Sequence, residues 1–384
     1  MKTARIHLIM ILLAAVVTLP SGESSAQTNY SFSSYLIRDD NSFKSRTEYS
    51  ELIHTASLSI MRTFSAAGAT LQTYYGADLS SFNRYSDQQN YSHLFGIIGR
   101  YHSGNFNTDF GISYRLRRND AQYIYYNTNS FSLFTIMNFE PDLQKIYSFG
   151  INYSRGQFKE FEDLNNVTYR LFGKFQRFFQ NRSSISGELG LGVKNYVNQT
   201  VLNYFGNQGT FMIMPRFKEE PVDVVQLSVS ANMGKSLTDN TGINITSGAT
   251  RFVGEAIEAF SNGVYYYTEN DLYDDPYSYE DGYATLNLTR QFGVGFQGKI
   301  GAEYHDKDYA GTPALTLEGE LAGVNRKDTR VEYYFNISKN FPTAWSFPGS
   351  INVFFRFLMR QNTSNDPYFD FDDHLGILGF TLSK

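Results

Sequence analysis

The densest chemistry in the sequence lies between Gly263 and Tyr283. Glu269, Asp271, Asp274, Asp275, Glu280 and Asp281 fall there without a lysine or arginine, and Tyr265, Tyr266, Tyr267, Tyr273, Tyr277, Tyr279 and Tyr283 are interleaved with them. Clustered carboxylates offer hard oxygen ligands to Ca2+. Tyrosine joins an apolar ring to a hydroxyl, so it can stack on a ligand and hydrogen bond to it. Glu269, Asp271, Asp274, Asp275, Tyr277, Tyr279 and Glu280 are therefore a candidate binding set for Ca2+ or a surface ligand. The spacing matches no EF-hand loop, and aromatic loops also pack on themselves, so no metal is assigned.

A second group combines Asp366, Asp370, Asp372, Asp373 and His374 with His305, Asp306 and Asp308. A histidine oriented by a carboxylate can activate water. No motif fixes such a pairing here, and G-x-S-x-G, H-E-x-x-H and phosphate-loop patterns are missing. The sequence thus points to neither an enzyme nor a cofactor.

The segments that must position these residues alternate with period two, as strands with two unlike faces do. In Phe106–Arg117, Phe110, Ile112, Tyr114 and Leu116 share one face, and Asp109, Gly111, Ser113, Arg115 and Arg117 share the other. Similar patterns run through 145–154, 185–194, 225–234, 296–305, 331–338 and 351–360. The polar faces carry Asp109, Arg115, Arg117, Arg170, Lys174, Glu188, Lys194, Lys299, Glu303, Glu332, Arg356 and Arg360. Charges of both signs on a wall around water would bias the passage of ions.

Connection length separates a barrel from a soluble sandwich. Short connections are expected near Ser65–Gly68, Ser103–Asn105, Glu140–Asp142, Gln180–Ser183, Leu237–Thr241 and Phe292–Val294, with a longer one at Asn340–Pro348. Long ones are expected near Asp39–Thr47, Ser81–Asn90, Arg118–Ser130, Phe158–Asn165, Tyr196–Thr210, Gly254–Asp281, Lys307–Arg326 and Asn362–Asp372. Short turns alternating with long loops are the geometry of an outer-membrane barrel. The count predicts an all-β, transmembrane, antiparallel up-and-down barrel of about sixteen strands, fourteen being the alternative, beginning with a weak strand near Tyr30–Ile37. A loop folded inward, with Lys307–Arg326 as the candidate, would plug such a barrel.

Composition agrees. Aromatic residues make up 16% of the 384, with 29 Tyr, 33 Phe and no Cys, and mean hydropathy is -0.36. That excludes a polytopic helical membrane protein and a disulfide framework. A net charge of -5 without a basic stripe gives no nucleic-acid signature. Lys2 and Arg5, the apolar run Ile6 to Leu19 and the small residues Ser24-Ser25-Ala26 read as a secretory leader over 1–26. The barrel is then expected over 27–384 as one domain.

At this level the chain resembles bacterial outer-membrane β-barrel proteins and is porin-like in size. The segment from Asn270 to Glu280 is similar to one found in uncharacterised barrels of the Bacteroidetes type. The resemblance implies residence in Gram-negative outer-membrane lipid, insertion by the barrel-assembly machinery and passage of small hydrophilic solutes. It departs from the pattern at its end, where Ser383-Lys384 follow Leu378, Phe380 and Leu382 in place of a terminal aromatic residue.

Overall fold

The structure is a computed structural model that describes residues 25–42, 46, 49–66, 68–160, 165–204, 215–253, 276–343 and 349–384. Most of the expected leader, residues 1–24, lies outside them.

Sixteen strands close into one antiparallel barrel in which each pairs with its sequence neighbours. They are β1 (Ser25–Asp39), β2 (Glu51–Ala66), β3 (Ala69–Phe82), β4 (Asn90–Ser103), β5 (Phe106–Asn119), β6 (Thr128–Asp142), β7 (Lys145–Phe158) and β8 (Asn166–Phe178). The second half comprises β9 (Ser183–Tyr204), β10 (Pro215–Thr238), β11 (Thr241–Phe252), β12 (Glu280–Gln291), β13 (Phe296–Leu315), β14 (Leu321–Pro342), β15 (Ser350–Ser364) and β16 (Phe371–Ser383). The expected count of sixteen is the observed one. The first strand, expected to be weak, is 15 residues long.

Closure lies between β1 and β16, where Ser31 to Asp39 run antiparallel to Ser383 to Leu375. Tyr30 and Lys384 exchange two backbone hydrogen bonds of 3.0 Å, so the residues after Phe380 take part in the seam. Each amide thereby finds its partner in the wall, the condition that lipid imposes on any spanning structure. Among the described residues no helix is long and apolar enough to cross a membrane.

The outer face of the wall is the apolar one. Phe149 is 61% exposed, Leu189 57% and Leu378 57%, and Phe110, Ile151, Met233, Ile300 and Tyr333 share that face. A continuous greasy surface of this size is compatible with acyl chains and not with water.

On the opposite face, glycines sit directly across from aromatic residues. Gly150 pairs with Phe172, and Gly301 with Tyr334. In both, the ring covers the glycine so closely that a β-carbon would enter the ring. The rings lie along the wall and cover the glycine backbone, as in aromatic rescue of strand glycines.

The short connections stay tight; that between β4 and β5 is Gly104-Asn105, with Gly104 at φ 57° as a two-residue hairpin requires. The expected loop Lys307–Arg326 is instead mostly strand. β13 and β14 continue to Leu315 and Leu321, leaving 316–320 as the connection. Likewise β9 runs on to Tyr204, through much of the expected Tyr196–Thr210 loop. Backbone pairing satisfies these polar segments above the membrane as well as within it.

The two faces make opposite predictions for one strand. Ile151→Arg, on the lipid side of β7, should destabilise the barrel by about 2–4 kcal/mol in equilibrium unfolding from lipid vesicles. Asn152→Arg, on the other side, should change stability little. Equal effects would contradict the assignment of faces.

Candidate functional site

The inner wall and its outer mouth carry the charged residues. The strand register places Asp109, Arg115 and Arg117 of β5, Arg170 and Lys174 of β8, and Glu188 and Lys194 of β9 opposite the apolar belt. The same holds for Lys299 and Glu303 of β13, Glu332 of β14, and Arg356 and Arg360 of β15. β5 and β13 lie eight strands apart in a closed ring of sixteen, so their charges face one another across the barrel.

The two sides of this wall differ in hydration. On β4, β5, β8 and β9, Arg100 meets Asp109 at 2.7 Å and Arg170 meets Glu188 at 2.7 Å, with arginine side chains 60% and 48% exposed. Those arginines are solvent-accessible although they point inward. On β12 to β16 the charges pack together. Glu332 receives Arg360 at 2.7 Å and Arg330 at 3.3 Å, and Arg360 reaches Asp373 at 3.6 Å. His305 lies beside them with Nδ1 2.8 Å from Asp281 and Nε2 2.8 Å from Glu303. Two acceptor carboxylates around one ring are satisfied by the imidazolium form, which donates from both nitrogens.

Lysines on this wall rest on aromatic rings. Lys194 lies over Tyr196 and Tyr277, at 4.9 and 5.7 Å. Lys299 and Arg356 share Tyr334, at 5.4 and 5.7 Å. The Tyr334 hydroxyl donates to Asn287. Arg115, Lys174, Lys299 and Arg356 have no carboxylate within ion-pair distance among the described residues. The inward acids Asp109, Glu188, Glu303 and Glu332 are all matched.

The mouth is built by the descending end of the longest loop. Tyr277 packs with Tyr196, Val224 and Phe252, which all point inward from β9, β10 and β11. The Gln226 amide donates to the carbonyls of Pro276 and Tyr279, at 2.7 and 3.0 Å. Residues 276–279 are therefore seated on the inside of the wall, not displayed above it as an outer loop was expected to be. Glu280 accepts from the Phe252 amide at 2.9 Å. Glu269, Asp271, Asp274 and Asp275, the rest of the candidate Ca2+ or ligand set, lie outside the described residues.

Beside that segment, Tyr279 packs at a tilt against Tyr309 (centroids 5.1 Å apart), and Lys307 lies 4.2 Å from the Tyr279 ring. Arg326 is held between Tyr309 and Phe369, 4.1 and 3.4 Å from their centroids, and donates from Nε and Nη2 to the two carboxylate oxygens of Asp328. Asp366 ties the β15–β16 loop to this hairpin by accepting from the Leu315 amide at 3.1 Å. Hence the long hairpin and two loops form one packed body over the β12 to β16 side of the mouth.

The two histidines of the water-activation reading occupy opposite faces. His305 points inward, whereas His374 points outward, where Asp40 accepts from its amide and its Nδ1 lies 2.8 Å from Asp40. The wall separates them, so they share no site. Asp39, Asp40 and Asp373 bring carboxylate oxygens within 4.8 Å of one another at the β1–β16 seam. Arg360 already stands against that group. Sequence reasoning did not single out Arg100, Arg326, Arg330 or Gln226; their only signal was parity along a strand, which needs the register to be read.

Arg326→Ala should strand Asp328 in a buried position and cost about 3–5 kcal/mol of local stability. Hydrogen exchange should then accelerate in 365–370 and 316–320 while β5 to β8 keep their protection. Unchanged exchange in those two loops would show that the guanidinium does not hold them.

No family model matches the chain, and no curated protein matches it. Among solved structures, OccAB1 of Acinetobacter baumannii superposes with a TM-score of 0.52 at 10% identity, covering 93% of this chain and 96% of that one. OprD of Pseudomonas aeruginosa gives a TM-score of 0.51 at 9% identity, covering 94% and 95%. The likeness is one of fold, and it spans nearly the full length of both. A closed wall, an apolar outer belt and short turns opposite long loops thus give this chain the fold of the porin-like β-barrels of the bacterial outer membrane.

Proposed function

We propose that the barrel is a passive, weakly selective channel for small hydrophilic solutes. The observation that carries this reading is the exposure of inward side chains to the space the barrel encloses. Arg170, midway along β8, is 48% exposed although it faces away from lipid. A barrel of this strand number is wide enough for an aqueous path, and exposed inward arginines occur on both sides of it, Arg115 and Arg170 on β5 and β8 and Arg356 on β15. The packed charges of β12 to β16 narrow the opposite side without filling it with apolar residues.

Selectivity should be modest because most charges are paired. Its sign follows from those that are not. Asp109, Glu188, Glu303 and Glu332 are matched, and the unmatched Arg115, Lys174, Lys299 and Arg356 outnumber the inward Asp78 and Glu140, which have no cationic partner among the described residues, so the wall favours anions. Small anions and neutral hydrophilic molecules should pass more readily than cations of the same size.

Purified protein in planar bilayers should give reproducible conductance steps, and a KCl gradient should produce a reversal potential of the sign for chloride preference. Lys174→Glu, Lys299→Glu and Arg356→Glu together should reverse that sign without abolishing conductance. Bilayers that stay silent, with protein shown to be inserted, would refute the channel. A reversal potential indifferent to the triple variant would refute the assignment of selectivity.

A further inference from the structure

The lipid face carries a repeated arrangement at its periplasmic edge that solute passage does not use. Arg177 of β8 lies over the ring of Phe179 at 4.9 Å, Arg290 of β12 over Phe292 at 5.2 Å, and Lys339 of β14 over Phe341 at 4.9 Å. On β10, Lys235 occupies the equivalent position above Leu237. Phe179, Leu237, Phe292 and Phe341 are all exposed, as are the four cations. Arg62 over Phe64, at 5.0 Å, repeats the pair on β2.

The four strands all descend to short turns, which mark the periplasmic side. Each cation lies over or beside an apolar group two residues nearer the turn, so its long side chain reaches toward the headgroup layer and not the acyl layer. Alternate strands set successive cations about 10 Å apart across the sheet. None of the four has a carboxylate partner among the described residues. The nearest acids at this edge are engaged in the turns, Asp142 with Lys145 and Asp239 with Arg182. Outward acids such as Asp40, Asp306, Asp308 and Asp372 lie at the other end of the wall, near the long loops.

We infer that Arg177, Lys235, Arg290 and Lys339 form a binding arc for the phosphates of anionic phospholipids in the periplasmic leaflet. The flanking Phe179, Leu237, Phe292 and Phe341 meet the upper part of the acyl chains. An arginine over a ring keeps its N–H edge free for a phosphate. A row of unmatched cations at a membrane surface also attracts anionic headgroups as a group. The arc depends on the barrel and its orientation and not on conduction, so it stands apart from the channel reading.

Native mass spectrometry in mild detergent with equimolar phosphatidylglycerol and phosphatidylcholine tests it. The wild-type barrel should retain phosphatidylglycerol in preference, and Arg290→Gln alone should lower that preference by about fivefold. The quadruple variant R177Q/K235Q/R290Q/K339Q should bind both lipids equally. R251Q/K327Q, which removes exposed cations at the outer edge, should keep the preference. Heat-modifiable migration confirms that each variant is a closed barrel, and the single variants serve if the quadruple one fails that check. Inorganic phosphate should not displace the lipid. No preference in the wild type, an undiminished preference in the variants, or displacement by inorganic phosphate would each overturn the arc.

Discussion

Backbone hydrogen bonding in a medium without water is the constraint from which the rest of this molecule follows. An amide left unpaired in hydrocarbon costs several kcal/mol, so the sheet has no permitted edge. The β1–β16 seam is where that requirement is met, and it runs from Asp39 opposite Leu375 down to the chain end, with Lys384 bonded to Tyr30. Once the seam closes, side-chain direction is decided for every strand at once. One parity meets lipid, and the other meets whatever the barrel encloses.

What it encloses is not symmetric. Along β4 to β9 the inward Arg100 and Arg170 are exposed and each pairs with an acid on the next strand, whereas Arg115 is left without one. Along β12 to β16 a buried group is linked through Glu332, Arg360 and Asp373, beside the unpaired Lys299 and the exposed Arg356. Burying Glu332, Arg360 and Asp373 together is tolerable because each faces an opposite charge, since unpaired ions in such a place are prohibitively costly. The packed body around Arg326 continues the dry side upward beyond the membrane. Residues 276–279 lean on the inner wall of β9 to β11 and bridge the two sides. The rigid outer mouth thereby belongs to one sector of the wall, and the exposed ion pairs of β4, β5, β8 and β9 to another.

The outer surface repeats the principle with a different partition. Its middle is aliphatic and aromatic, its upper edge mixes both signs, and its lower edge is cationic wherever the described residues are not engaged in a turn. Two environments, acyl chains and headgroups, select different residues along the same strand. A single strand such as β8 therefore carries three chemistries: Arg170 toward water, Leu171 toward hydrocarbon and Arg177 toward the headgroup layer.

The sequence alone determined the fold. Period-two alternation and the rhythm of short and long connections are local, and residues such as Phe110 against Asp109 report their faces without any knowledge of neighbours. Strand number followed from counting turns. Which charges meet depended on register, a property of two strands at a time, so Arg100 with Asp109 and Arg330 with Glu332 emerged only in the folded wall. The extension of β13 and β14 was hidden because Gly311, Pro313, Gly319 and Gly323 read as loop residues. Pairing with each other and packing on Phe369 and Asp366 overrode that local preference. Likewise, Tyr277 and Tyr279 read as surface tyrosines, and only the tertiary structure turned them inward, because the wall of β9 to β11 offers an apolar seat and a glutamine amide that no nearby sequence supplies.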